Sequence, residues 1–317
     1  MIQLRGLSKK FGARLAVDNL NLTVPRGEIF GLLGHNGAGK STAIGMMLGQ
    51  VWPTLGEAII CGHDVTIHRQ QALQKVGAIF ETPVFYDYLS GWRNLEILSQ
   101  YTAATPPELI RKVVEWVGLK GREHDKVSKY SHGMRTRLAL AQALLPEPEL
   151  LILDEPSDGL DPEGIHEMRQ TIQRLQRELG LTILLSSHLL NEVEQLCTRI
   201  AVMNQGKKVF DGTLHDIKKP QEWVRLRVGD FAKAVEDLRE TKLITAALDG
   251  QLVALTPGVG TDSVVRRLVE QGMPVFEIVR DEQTLEGFYL ALMKESPGAA
   301  AQSPEASSAK PAPASRS

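Results

Sequence analysis

The sequence predicts an α/β fold built around a phosphate-binding loop, with a helical insertion inside it and a small α+β module behind it. Three observations predict this. Residues 34–42 read Gly-His-Asn-Gly-Ala-Gly-Lys-Ser-Thr and fit the pattern G-x-x-x-x-G-K-[ST]. The apolar run Glu28-Ile-Phe-Gly-Leu-Leu33 precedes the loop and a helical segment follows from Lys40, which supplies the strand-loop-helix order the pattern needs. A second apolar run, Leu150-Leu-Ile-Leu-Asp-Glu155, ends in two carboxylates, as a buried parallel strand does when it delivers its last residues to the ligand crevice of an open sheet.

In chain order, residues 2–7 and 20–24 read as strands joined by a turn-rich segment that holds Lys9, Lys10, Phe11 and Gly12. Phe11 can stack on a nucleobase or fill a satellite core; the local pattern accommodates both. In the loop, glycines at 34, 37 and 39 admit turns that a side chain blocks. The backbone from Gly34 through His35, Asn36, Gly37, Ala38 and Gly39, with Lys40, Ser41 and Thr42 at the helix start, therefore turns its N–H groups toward an anion. Lys40 adds a positive charge near the β- and γ-phosphates of a nucleotide, and the Ser41 hydroxyl is a hard oxygen ligand suited to Mg²⁺. Residues 56–62 and 76–80 read as strands. From about residue 89 to 145, apolar residues recur at three- and four-residue spacing, which predicts the helical insertion.

At the end of the strand 150–155, Asp154 can hold Mg²⁺ and Glu155 can face the attacking water. Residues 162–179 form an amphipathic helix with proline at its start, and the strand 181–185 runs into Ser186-Ser187-His188. His188 thus stands at a strand end beside the phosphate site, where it can sense a γ-phosphate. Strands at 199–204 and 207–210 close a first domain over residues 1–217. Residues 218–295 read strand-helix-strand-strand-helix-strand plus a last helix, a ferredoxin-like order, and the Ala/Pro/Ser-rich residues 296–317 predict a disordered tail.

Composition narrows the function. The 317 residues carry a net charge of -2, which gives no basic footprint for nucleic acid. The two cysteines, Cys61 and Cys197, lack metal-type spacing and fit a reducing compartment. The N-terminus begins as an alternating strand without a signal-peptide pattern, and no apolar run is long enough to span a bilayer. Any membrane role is therefore expected to come through a partner.

Within the helical insertion, Tyr130-Ser-His-Gly-Met-Arg135 resembles the Leu-Ser-Gly-Gly-Gln signature of ABC transporter nucleotide-binding subunits, and Ser131 and Gly133 are retained. The resemblance spans residues 1 to about 217. It implies a P-loop NTPase ABC cassette: a RecA-like α/β core, an N-terminal antiparallel β subdomain and a helical insertion. By that resemblance ATP and Mg²⁺ are the cofactors, Phe11 stacks on adenine, Lys40 and Ser41 hold phosphate and metal, Asp154 binds Mg²⁺, Glu155 is the general base and His188 the switch. Ser131 and Gly133 would contact ATP held by a second ATP-binding subunit, in a homodimer, and Ser157-Asp-Gly-Leu-Asp161 resembles the dimer-contact loop. Ser131 read locally is an ordinary helix N-cap.

Three positions depart from the family pattern. Glu81 stands where the family usually has a metal-binding glutamine, Tyr130 replaces Leu, and Met134 replaces Gln. Glu81 can still ligate Mg²⁺ but adds negative charge. These substitutions and the ending Thr284-Leu-Glu-Gly-Phe-Tyr-Leu290 resemble ABC-2-type exporters of the bacitracin and lantibiotic self-protection group. The implied partner is an integral-membrane permease of ABC-2 type, with the chain cytoplasmic and peripheral on the inner face of the membrane. Pro83-Val-Phe-Tyr-Asp-Tyr88 offers aromatics, Phe85 and Tyr86 among them, for a groove that takes a permease helix. Competing readings are a non-transport ABC ATPase acting on a ribosome or DNA, and an importer subunit. The first usually shows paired cassettes or a coiled-coil insertion, and the low net charge disfavours nucleic acid.

Overall fold

Alternating apolar residues make the first two segments of the computed structural model a long hairpin. Ile2–Phe11 (β1) and Arg14–Val24 (β2) pair antiparallel from Ile2 opposite Val24 to Phe11 opposite Arg14. The register shifts between Leu4 and Lys10, so the period-two pattern is broken there, and Lys9 to Phe11 continue the ladder where the sequence reads a turn. The structure describes residues 1–80, 83–101, 105–217, 223–248, 251–280 and 284–295. Glu81 and the tail 296–317 lie outside the described residues.

The phosphate-loop strand Ile29–Leu33 (β3) is buried at every position and leads through the loop into Lys40–Met47 (α1). Leu55–Ile60 (β4) and His63–Asp64 (β5) add to the hairpin, giving a four-stranded antiparallel sheet in the order β2-β1-β4-β5. Arg69–Leu73 (α2) then leads to Val76–Ile79 (β6). Gly91–Ser99 (α3), Pro107–Trp116 (α4) and His132–Leu144 (α5) form the helical insertion. The chain returns through Leu150–Asp154 (β7), Pro162–Leu179 (α6), Thr182–Ser187 (β8) and Leu190–Leu196 (α7). Arg199–Asn204 (β9), Lys207–Thr213 (β10) and Leu214–Ile217 (α8) follow.

The second sheet runs β10-β9-β3-β8-β7-β6, with β9, β3, β8, β7 and β6 parallel and β10 antiparallel at one edge. Its central strands are continuous apolar runs because both faces are covered, and alternate residues serve opposite faces. Phe30, Leu32, Ile152 and Leu184 pack with β1, β2 and α1, whereas Ile29, Leu33, Leu151, Leu153, Ile183 and Leu185 pack with the helices of the insertion and α6.

Trp223–Val228 (β11), Phe231–Glu240 (α9), Ile244–Leu248 (β12), Leu252–Leu255 (β13), Thr261–Glu270 (α10) and Val275–Arg280 (β14) form the predicted α+β module. Its sheet is antiparallel in the ferredoxin-like order β12-β13-β11-β14 and has its own apolar centre at Val224, Leu226, Ala234, Leu238, Val264 and Leu268. Leu285–Glu295 (α11) packs elsewhere. Leu285 is fully buried in the core shared by the six-stranded sheet and the helices, and the Phe288 ring meets Phe210 edge-on at 4.8 Å.

Tyr130, the departure from Leu in the signature, has a structural cause. It is buried, its hydroxyl donates to the Arg122 carbonyl at 2.8 Å, and burial pushes its pKa up to about 12. A Cβ on Gly91, at the start of α3, would lie 2.3 Å from that hydroxyl. Gly91→Ala is therefore expected to destabilise the protein by about 1–3 kcal/mol, the usual cost of overpacking. Adding Tyr130→Leu should recover most of that loss in thermal unfolding. A double variant as unstable as Gly91→Ala alone would remove this contact as the cause.

Candidate active site

Parallel pairing sets the site. Leu33 lies beside Ser187 and Asp154 beside Ser186, so β3, β8 and β7 end at one level and present the phosphate loop, His188 and the Asp154-Glu155 pair together. Two glycines of the loop have specific reasons. Gly39 has φ 104, and a Cβ there would lie 2.6 Å from the Ala16 carbonyl oxygen; at Gly34 it would lie 2.6 Å from that of Met203. The loop is thereby pressed onto β2 and β9 while its other side stays open.

A cavity of about 340 Å³ lies against the loop, bordered by Phe11, Arg14, Asn36, Lys40, Ser41 and Glu155 among others. Gly37, Gly39 and Thr42 line it too, whereas the buried Ala38 faces the core. Lys40 is only 4% exposed; its ammonium donates to the Gly34 carbonyl at 2.7 Å and lies 3.1 Å from Glu155 Oε1. A cation so held is directed into the cavity, where an anionic ligand can exchange for these partners. Phe11 is 51% exposed at the hairpin tip, with the Lys9 ammonium 4.9 Å from its ring centre. Phe11 therefore lines that cavity and is not packed in a satellite core. Arg14 was not among the sequence candidates. It faces Phe11 across the hairpin turn, a pairing that the turn-rich reading of residues 9–12 concealed.

Glu155 sits in the left-handed region at φ 49, a strained conformation for a residue with a long side chain. Ser186 holds it there: the Glu155 N–H is 3.0 Å from the Ser186 hydroxyl oxygen and 3.2 Å from its carbonyl, and the same hydroxyl donates to Asp154 Oδ1. His188 Nδ1 is hydrogen-bonded to Glu155 Oε2, so Lys40, Glu155 and His188 form a continuous polar chain that leads from the cavity to the strand end at His188. Ser41 and Asp154 could offer hard oxygen donors to Mg²⁺, with Ser41 on the cavity and Asp154 directly preceding Glu155. Among the described residues no group of three or more His, Cys, Asp or Glu could cage a metal. A few protein oxygens completed by substrate phosphates is the usual arrangement for Mg²⁺, so this donor set fits.

Ser131 and Gly133 line a different cavity, of about 500 Å³, together with Gly159, Leu160 and Asp161. The Ser131 hydroxyl accepts from the Met134 N–H at 3.2 Å, so it does cap α5 while its position remains exposed. Within one chain this pair is not brought to Phe11 and Lys40. Tyr289 of α11 is a further residue that the sequence did not single out as a site residue. It shares a cavity of about 300 Å³ with Gly34, His35, Asn36 and His188. Burial raises its pKa, and a hydrogen bond with the His35 backbone opposes the rise.

A phosphate loop, a strand-end Asp-Glu pair and a strand-end histidine on one parallel sheet define a phosphate-loop ATPase. The chain belongs to the ATP-binding proteins of ABC transporters: the ABC transporter family matches residues 17–158, and relatives match over nearly the whole length. It is 38% identical over 303 residues to the uncharacterized ABC transporter ATP-binding protein YhcH of Bacillus subtilis, covering 93% of this chain and 97% of that one. It is 37% identical over 298 residues to the bacitracin transport ATP-binding protein BcrA of Bacillus licheniformis, covering 92% and 97%. Among solved structures, an ATP-binding subunit of an ABC transporter superposes with a TM-score of 0.61 at 30% identity, over 69% of this chain and 92% of that one.

If Phe11, exposed at the rim of the cavity, stacks on the base, Phe11→Ala is expected to weaken ATP binding by roughly 5- to 100-fold, the range for one lost base-stacking contact. The turnover of bound ATP should stay within about twofold, because only ground-state binding is lost. Equilibrium titration with a fluorescent ATP analogue and single-turnover hydrolysis read the two separately.

Proposed function

We propose that this chain pairs with a second copy around two ATP molecules and powers a separate ABC-2-type permease in export. The observation that carries the reading is the length of the likeness to the bacitracin transport ATP-binding protein: it covers 92% of this chain and so runs past the cassette into the C-terminal module. On this reading residues 1–217 are the ATP-binding domain, residues 218–295 a small C-terminal domain, and the chain sits in the cytoplasm on the inner face of the membrane. None of the described helices is long and apolar enough to cross a bilayer.

In the proposed mechanism the loop amides and Lys40 bind the triphosphate while Phe11 stacks on the base. Ser41, Asp154 and Glu81 would hold Mg²⁺, which when bound neutralises charge on the phosphate oxygens. Glu155 takes a proton from the attacking water, and His188, hydrogen-bonded to it, orients its carboxylate and meets the γ-phosphate. Ser131 and Gly133 contact the γ-phosphate of ATP on the other subunit. Supporting a shared site is their separation from the loop: they line a cavity that has no residue in common with the one holding Phe11 and Lys40.

The permease surface is narrower than the aromatic cluster expected from the sequence. Phe85 is buried in the core and drops out, whereas Val84, Tyr86 and Tyr88 are exposed. Asn94 fixes this segment: its side chain accepts from the Tyr86 N–H at 2.8 Å and donates to the Tyr86 carbonyl at 3.1 Å. That clamp holds the backbone and leaves the two tyrosine rings outward, where they suit an apolar-faced helix.

Two measurements test this reading. Glu155→Gln should slow hydrolysis by about 10² to 10⁴-fold with ATP affinity retained, and the protein should sediment as an ATP-dependent dimer that Ser131→Arg disperses. Normal hydrolysis with no dimer would remove both the base and the shared site. Tyr86→Ala should weaken co-purification with the permease while leaving ATPase activity of the isolated chain intact; unchanged association would move the interface elsewhere.

A further inference from the structure

Glu192, near the start of α7, is a carboxylate with no part in the chemistry so far described, yet it is only 3% exposed. Both of its oxygens are taken by buried hydroxyls. Ser157 donates to Oε1, and Ser187 donates to Oε2 at 2.9 Å; each serine is 2% exposed. The two serines belong to different segments. Ser157 lies two residues after Glu155, at the entry to the loop of Asp158, Gly159 and Leu160, and Ser187 immediately precedes His188. Ser187 is engaged on its other side as well, accepting from the Leu189 N–H at 3.0 Å across the histidine.

A buried carboxylate is retained only when hydrogen bonds replace its lost hydration, and here both come from the segments whose geometry decides catalysis. Glu155 and His188 are hydrogen-bonded to each other, and the Glu192 bridge ties the same two segments through Ser157 and Ser187. The left-handed backbone at Glu155 needs support of this kind, because strain persists only where surrounding contacts over-determine it.

We propose that Glu192 is a positioning residue: by holding Ser157 and Ser187 it fixes the Glu155 loop and the His188 loop relative to one another. It lines neither of the cavities beside the phosphate loop. The proposal rests on the reading of Glu155 as the base and His188 as its partner, and adds the means by which they are kept aligned.

Chemistry identifies the informative variant. In Glu192→Gln one oxygen becomes an NH₂ donor, so the serine facing it must turn its own O–H away in order to accept, and Ser187 Oγ already accepts from Leu189. One arm of the bridge is thereby weakened. With the full-length chain, Glu192→Gln is expected to lower the single-turnover hydrolysis rate by roughly 10- to 100-fold, the scale of a misplaced catalytic group. ATP affinity should stay within about twofold, since the phosphate loop is untouched. Adding Ser157→Ala should cost little more, because both changes break the same bridge. A purely structural role predicts another pattern: lower thermal stability with the wild-type rate per folded molecule, or independent losses from Glu192→Gln and Ser157→Ala, and either result overturns the proposal. Should Glu192→Gln fail to fold, Ser157→Ala and Ser187→Ala each cut one arm, and normal rates in both overturn it equally. Glu155→Gln, measured alongside, separates the two levels: a normal rate there refutes the assigned base, whereas a slow Glu155→Gln beside a normal Glu192→Gln refutes only the bridge.

Discussion

Burial of β3, β8 and β7 on both faces is the constraint on which the site depends. With apolar residues alternating between two cores, none of these strands can slip by one residue without exchanging the residues packed on its two faces. The parallel register that follows sets Leu33, Ser187 and Asp154 at one end of the sheet, and the polar residues that continue each strand converge because they have no apolar place to go. The geometry of the candidate site is a by-product of core packing. Once the strands are in register, the phosphate loop needs only glycines where Met203 and Ala16 approach it, and Lys40 needs only the short reach to Gly34 and Glu155.

Beyond that shared frame, the polar residues divide into groups with different exposure. Lys40 and Glu192 are buried and their polar atoms are taken by near neighbours, whereas Ser131, His188 and Phe11 stand at surfaces. This fits a centre in which binding and alignment are settled within one subunit, while the residues that must respond to something arriving from outside remain free to meet it. On the proposed reading the separate cavity at Ser131 follows the same division, with that helix N-terminus turned to the nucleotide of a second subunit.

Much of this was legible in the sequence because it is local. The loop pattern, the apolar runs of β3, β7 and β8, the proline that opens α6 and the order of the C-terminal elements all depend on residues close together in the chain. The misses are non-local. Bulges in the first hairpin hid the extension of β1 to Phe11 and the approach of Arg14 to the cavity. Phe85 and Tyr86 are adjacent and chemically alike, and only the Asn94 clamp, reaching from α3, decides which one turns inward. The Ser157, Ser187 and Glu192 bridge joins residues up to 35 positions apart and has no periodic signature. Glu81 and the tail fall outside the described residues, so those expectations stand as they were.

The position of α11 bears on how the chain is made. Residues 285–295 follow every other described element, yet Leu285 belongs to the core beneath the six-stranded sheet, and Tyr289 reaches the phosphate loop. During synthesis from the N-terminus, the α+β module with its own apolar centre can fold as a unit before α11 is available. The ATPase core keeps an apolar face open beside Phe210 until the last helix has been delivered, so covering that face is a late event that a chain stopped short of α11 never reaches.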